Sequence, residues 1–213
     1  MIHKITHSVM FHHFHNDKHL PSQGSLSGSD FTKMIDWLGK KYNLLNANTF
    51  KKKFLNQTLK DKDICLTFDD ALKCQFDIAV PIMERYGIEA FFFVYSSAFS
   101  EHPDLLEVYR YFRTSFYDDM DKFYDEFFTC IKNRDEKGFS NHYLKFTNLN
   151  YLSEFPFYSL NDRWFRYLRD QYLDNKNYHK IMNYLMFKKS FNITLAKKNL
   201  WMTEKDLIKI SNK

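Results

Sequence analysis

Ile64-Cys65-Leu66-Thr67-Phe68-Asp69-Asp70-Ala71 constrains this chain more than any other stretch. A short apolar run ends abruptly in two adjacent carboxylates. An apolar segment of that length, bounded by charge, reads as a buried strand. The Asp69-Asp70 pair then stands at the strand's C-terminal end, where open α/β sheets and α/β barrels place their ligands. Two neighbouring acids can divide labour there: one holds a divalent cation while the other accepts a proton. The blander reading is an Asp-Asp turn in which Asp70 caps the following helix.

Around that strand the first half of the chain alternates. Residues 8–14 read as a strand and 15–28 as a polar loop with Pro21 and Gly24. Ser29 or Asp30 can cap a helix whose Phe31, Met34, Ile35 and Leu38 share one face. Residues 43–45 suit a short strand, followed by an amphipathic helix carrying Phe50, Phe54 and Leu55. Pro81 opens a short helix, Gly87 ends it, and 90–95 form the next strand. Strand–helix alternation implies parallel pairing through right-handed crossovers. From about 101 to 199 the character changes: aromatic and charged residues are dense, glycine and proline sparse. Tyr109, Phe112 and Phe116 recur at helical spacing, as do Phe123, Phe127 and Cys130. Residues 163–175 and 177–189 give two more helical patterns, with Trp164, Leu168 and Tyr172 on one stripe. These stripes read as core packing in preference to a platform for sugar or nucleic acid.

Composition narrows the function classes. With 213 residues, 44% hydrophobic and 27% charged, the chain is a packed globular protein and not a disordered one. A net charge of +5 is too dispersed to imply nucleic acid. The Lys51-Lys52-Lys53 run reads as a solvated helix face. Cys65, Cys74 and Cys130 lack metal-type or disulfide-type spacing; Cys65 should point into the core, and an odd count suits a reducing compartment. No apolar run approaches ~18 residues, and the N-terminus lacks the apolar core of a leader. The expectation is a cytoplasmic protein without a membrane span. Ser-His-Asp sets, P-loops and dinucleotide glycine patterns do not occur.

Thr67-Phe68-Asp69-Asp70-Ala71 resembles the Thr-Phe-Asp-Asp-Gly signature of the polysaccharide deacetylases, the carbohydrate esterase family 4 or NodB-homology group. Ala79-Val80-Pro81 through Phe91-Phe92-Phe93-Val94 looks like that family's next helix and strand. Val9-Met10-Phe11-His12-His13-Phe14 resembles its first barrel strand, and residues 201–210 resemble a later helix. The likeness covers about residues 7–99 and resumes at 200–213. It implies an α/β fold: part of a distorted (β/α) barrel over 1–100, a large α-helical insertion over 101–199, and a return to a barrel helix at 200–213. It further implies metal-dependent N-deacetylation of an N-acetylated sugar or glycan intermediate, a cytoplasmic nucleotide- or lipid-linked one. Asp69 would be the general base and Asp70 a ligand of the divalent metal, zinc by type. His12, His13, Thr67 and Phe68 would face the substrate pocket.

Two departures matter. Ala71 stands where the family has glycine, so a positive φ is less comfortable. The family's His-[Ser/Thr]-x-x-His motif, source of two metal ligands, has no counterpart, because no histidine follows His179. The chain thus reads as truncated before the metal site is completed, and as an impaired deacetylase. The alternative is a non-catalytic remnant, a binding or interaction protein of the same fold. Self-association through an exposed sheet edge or the aromatic helices is expected; nucleic acid is not an expected partner.

The histidines are read one by one. His12, His13 and His15 lie at the end of the first strand, with His19 in the loop after it. Alternation puts His13 and His15 on one face and His12 on the other. A four-ligand site from Asp70 and these histidines is chemically allowed. The resemblance instead sets one of His12 and His13 at the substrate pocket and leaves the others hydrogen-bonded locally. His102, His142 and His179 read as surface or helix histidines.

Overall fold

A computed structural model describes residues 8–100 and 103–211; His102 lies outside them. In chain order the elements are β1 (Val9–Phe11), β2 (Phe14–His15), β3 (Leu26–Ser27), α1 (Gly28–Lys41), β4 (Asn43–Leu44), α2 (Ala47–Leu55), β5 (Asp63–Ile64), β6 (Leu66–Asp69), α3 (Val80–Tyr86) and β7 (Phe91–Phe93). Helices follow: α4 (Leu106–Phe116), α5 (Met120–Lys132), α6 (Glu136–Leu149), α7 (Leu160–Tyr167), α8 (Asn175–Lys188), α9 (Ile193–Leu200) and α10 (Glu204–Ser211). The chain divides into two compact units. One runs through Val108 and takes in the residues from Thr194 onward; the other is Tyr109–Ile193.

The first unit is mixed α/β. Its main sheet has the order β1-β6-β7, all parallel, with Phe11 opposite Phe68 and Asp69 opposite Phe93. Two further parallel pairs, β2 with β3 and β4 with β5, lie between β1 and β6 in sequence. The strand expected over 8–14 is broken at His12-His13: its halves pair with different partners. The apolar run 64–68 is likewise shared between β5 and β6. Phe11, Phe14, Phe31, Phe68 and Phe92 form the aromatic core, with Phe31 edge-on to Phe11, Phe14 and Phe68. Cys65 is buried as expected, and burial pushes its thiol up to about 11.

Local chemistry explains the helix ends. Ser27, not Ser29 or Asp30, caps α1: its Oγ accepts from the Asp30 N–H at 3.0 Å and donates to the Asp30 carboxylate at 2.7 Å. This reciprocal arrangement needs the acid at the third helical position, so Asp30 is inside the helix. Phe31, Ile35 and Leu38 then face inward. In α2, Phe50 finds a ring partner in Phe91, while Phe54 and Leu55, the other apolar residues of the expected amphipathic helix, are 64% and 67% exposed. Pro81 sits in the first turn of α3, and Gly87 closes it at φ 63°. A π-helical turn, Gln75–Ala79, precedes α3.

The second unit is helical. α5 packs against α6, α7 and α8. Phe165 meets Phe123 and Phe127 edge-on in its core, and Trp164 stacks on Tyr167. The aromatic stripes therefore pack on one another, as the sequence implied. Side chains of Asp119, Asp135, Ser159 and Asp174 cap α5, α6, α7 and α8. Among the described residues no helix is long and apolar enough to cross a membrane.

Lys53 is not a free surface charge. Its Nζ lies 2.6 Å from the buried Asp63 carboxylate, which also accepts from the Lys60 N–H and the Asn43 amide. The Lys53 ammonium, chiefly, holds Asp63 down at about 2 against the opposing effect of burial. A carboxylate depressed in the fold contributes stability above its unfolded value near 4, and loses it as pH falls toward 2. Asp63→Asn should cost about 2 kcal/mol in urea unfolding at pH 7, with the gap to the parent narrowing between pH 4 and 2.

Candidate functional site

β6 is buried along Leu66, Thr67 and Phe68, and the chain leaves its C-terminal end in a tight turn. Asp70 and Ala71 both adopt left-handed backbone, at φ 73° and 51°. For non-glycine residues this costs roughly 1–2 kcal/mol each. The turn is held from two sides. The Asp70 N–H donates to the Phe93 carbonyl of β7 at 3.0 Å, and the Ala71 carbonyl accepts from the Met202 N–H at 2.8 Å. Leu72 also forms an isolated antiparallel bridge with Trp201. The two carboxylates emerge where the apolar run ends.

β1 ends one strand away, and the residue after it is His12. Its Nε2 lies 3.7 Å from Asp69 Oδ2 and 3.6 Å from Asp70 Oδ2. The three side chains are 34%, 29% and 31% exposed, so the cluster is open to a solute yet partly desolvated. His13 stacks on His12 with ring centres 5.9 Å apart, and its Nε2 is 2.8 Å from Glu107 Oε2. Glu107, in the first turn of α4, was not legible in the sequence: nothing in its local pattern distinguishes it from any helix-opening acid. His15 bonds Ser25 at 2.8 Å and His19 bonds Asp77 at 2.9 Å, both local roles.

Thr67 is buried, and by strand alternation it lies on the Asp69 face. Phe68 lies on the other face. It is 0% exposed and stacks on Phe92 at 4.8 Å, so it belongs to the core and not to a substrate pocket. The same alternation that aims Asp69 outward turns Phe68 inward. In the second unit, His179 meets the Tyr109 hydroxyl at 2.6 Å and His142 the Tyr167 hydroxyl at 3.3 Å. A cleft of about 380 Å³ lined by Val9, Met34, Trp37, Tyr42 and Ile64 lies toward the opposite, N-terminal ends of the strands.

Burial pushes the Asp70 carboxyl above the usual range; Glu107 and Asp69 add to this, while His12 and His13 oppose it. The donor types suit zinc, but their number and placement do not. Among the described residues no group of three or more His, Cys, Asp or Glu is arranged to hold a metal ion. What the cluster offers directly is a pair of carboxylates and an imidazole within one proton's reach of a common solute.

An acid raised in the fold favours the folded state most when protonated, and this contribution is lost as pH rises from its unfolded value through the folded one. Asp70→Asn should therefore be more stable than the parent in urea unfolding at pH 7, with the advantage vanishing below about pH 4. Ala71→Gly tests the strained turn. Relief of about 1–2 kcal/mol is offset by backbone entropy and a lost buried methyl, so the change should stay within about 1 kcal/mol. Ala71→Val, adding a branch at the same φ, should cost more than about 2 kcal/mol.

The polysaccharide deacetylase family model matches residues 56–112. No curated protein matches the chain. Among solved structures, a de-N-acetylase from Aggregatibacter actinomycetemcomitans is 21% identical, over 44% of this chain and 38% of that one, with a TM-score of 0.38. IcaB from Ammonifex degensii is 20% identical over 41% and 36%, with a TM-score of 0.36. The Streptococcus pyogenes deacetylase PplD, in complex with acetate, is 19% identical over 48% and 49%, with a TM-score of 0.35. The chain thus spans less than half the length of each. The matched residues 56–112 hold β6, both carboxylates and β7, and over them the chain is similar to the polysaccharide deacetylase family.

Proposed function

We propose that the end of β6 is the hydrolytic site of a carbohydrate de-N-acetylase acting on an N-acetylated sugar or glycan intermediate. The observation that supports this most is the convergence of His12 on both carboxylates of the family signature, at 3.6 and 3.7 Å. Asp69 is the general base: it takes a proton from the water that attacks the acetyl carbonyl. The carbon–nitrogen bond then breaks, the amine nitrogen gains a proton, and acetate leaves. Asp70, partly desolvated beside it, and His12 between the two fix the solute's polar groups. In this reading the β1-β6-β7 sheet is a segment of a distorted (β/α) barrel with an α-helical insertion.

A divalent metal, zinc by type, is part of the same proposal, with Asp70 as the donor this chain supplies. When bound it would polarise the amide carbonyl. The described residues bring too few donors together for a tight site, and none of the steps above passes through the metal. Turnover is accordingly expected to be slow. The cellular setting proposed is the cytoplasm. Self-association belongs to the same proposal, through the edge of the sheet at β7, where Phe93 is 58% exposed.

Acetate release from N-acetylated oligosaccharides, with and without added zinc, tests the reading. The parent chain should release acetate, and Asp69→Asn should reduce the rate by about 100-fold or more. Equal release by the two would refute the role of Asp69. Sugar binding without any release would favour a non-catalytic binding protein of the same fold.

A further inference from the structure

The β1–β6 ladder runs in register as far as Phe11 opposite Phe68. Just beyond, both strands leave regular geometry: β1 breaks at His12-His13, and β6 enters the left-handed turn at Asp70. The catalytic arrangement depends on the next pair, His12 and Asp69, staying side by side. One side chain spans them. The Gln75 amide nitrogen donates to the His12 carbonyl at 2.9 Å and to the Asp69 carbonyl at 2.6 Å. Both of its hydrogens are therefore used on the two backbone segments that carry the site.

Gln75 is 0% exposed. Its Oε1 is buried with no hydrogen-bond partner among the described residues. An orphaned buried acceptor costs roughly 1–3 kcal/mol, a price that a purely structural side chain would avoid. Turning the amide over would satisfy nothing, since it would aim an oxygen at two carbonyl oxygens. Gln75 also opens the π-helical turn that precedes α3, a device that re-aims a single residue and recurs at functional sites.

We propose that Gln75 is a positioning residue: its amide extends the β1–β6 ladder by one step and so holds the His12 imidazole within reach of Asp69 and Asp70. This rests on the His12–Asp69–Asp70 cluster being the functional site. It goes beyond it in assigning the alignment of that cluster to a residue that touches neither solute nor carboxylate side chain. The bond to the Asp69 carbonyl acts on the backbone of the base. The bond to the His12 carbonyl acts where the strand would otherwise diverge.

Histidine-ring NMR on the whole chain tests this without needing turnover. In the parent, Asp70→Asn should displace the His12 ring resonances. In a Gln75→Met background, which keeps bulk and removes both donors, that displacement should shrink by at least about twofold. Ile35→Ala, a core truncation in α1 that removes neither hydrogen bond, should leave it unchanged. An undiminished displacement in Gln75→Met would overturn the proposal, as would an equal loss in Ile35→Ala. If Gln75→Met does not fold, the unsubstituted protein still decides: the Gln75 amide protons should exchange slowly and show couplings across the hydrogen bonds to both carbonyls. Rapid exchange without those couplings would overturn it. Loss of acetate release alone bears on the hydrolytic reading and not on this one.

Discussion

The burial of β6 governs the first unit. A strand flanked by parallel neighbours, with its side chains covered through Phe68, can place charge only where it ends. The chain puts two carboxylates there, one still in the strand and one in a strained turn. That turn is stable because β7 accepts the Asp70 N–H on one side and Met202 donates to Ala71 on the other. The segment near residue 202 is distant in sequence yet completes the backbone of the signature. The carboxylate pair at this end of the sheet is thus held by hydrogen bonds to main-chain atoms before any side chain is considered.

Much of this was legible in the residues themselves. The abrupt change from apolar to acidic at Phe68-Asp69 located the strand end. Pro81 and Gly87 marked the limits of α3 through backbone constraints that no packing needs to supply. One of His12 and His13 was expected near the carboxylates because neighbouring parallel strands end side by side, and it is His12 that reaches both. Phe68, expected at the pocket, is turned away from it because strand alternation bars it from sharing a face with Asp69. Other features were beyond local pattern. Glu107 reaches His13 through chain folding alone. The exposure of Phe54 and Leu55 depends on which neighbours α2 meets, and the break between His12 and His13 depends on β2 finding a different partner in β3.

The two units solve the problem of aromatic residues in the same way but with different elements. In the first, phenylalanines from β1, β2, α1, β6 and β7 meet in one cluster. In the second, α5 supplies Phe123 and Phe127 to rings from α7 and α8, while Arg113 lies over the Phe165 ring at 4.9 Å. Burial holds that guanidinium below the usual arginine range. Neither histidine of the second unit approaches a carboxylate pair; both are engaged by tyrosine hydroxyls. The chemistry-bearing groups named by the sequence are therefore concentrated at one end of one sheet.

That concentration can be measured directly by following the histidine-ring NMR signals of the whole chain while N-acetylglucosamine, or acetate as the product, is added. The resonances of His12 and His13 should move in a saturable manner, while those of His142 and His179, tied to Tyr167 and Tyr109, stay in place. Movement of all histidines alike, or of none, would contradict a sugar-acetyl site at the end of β6.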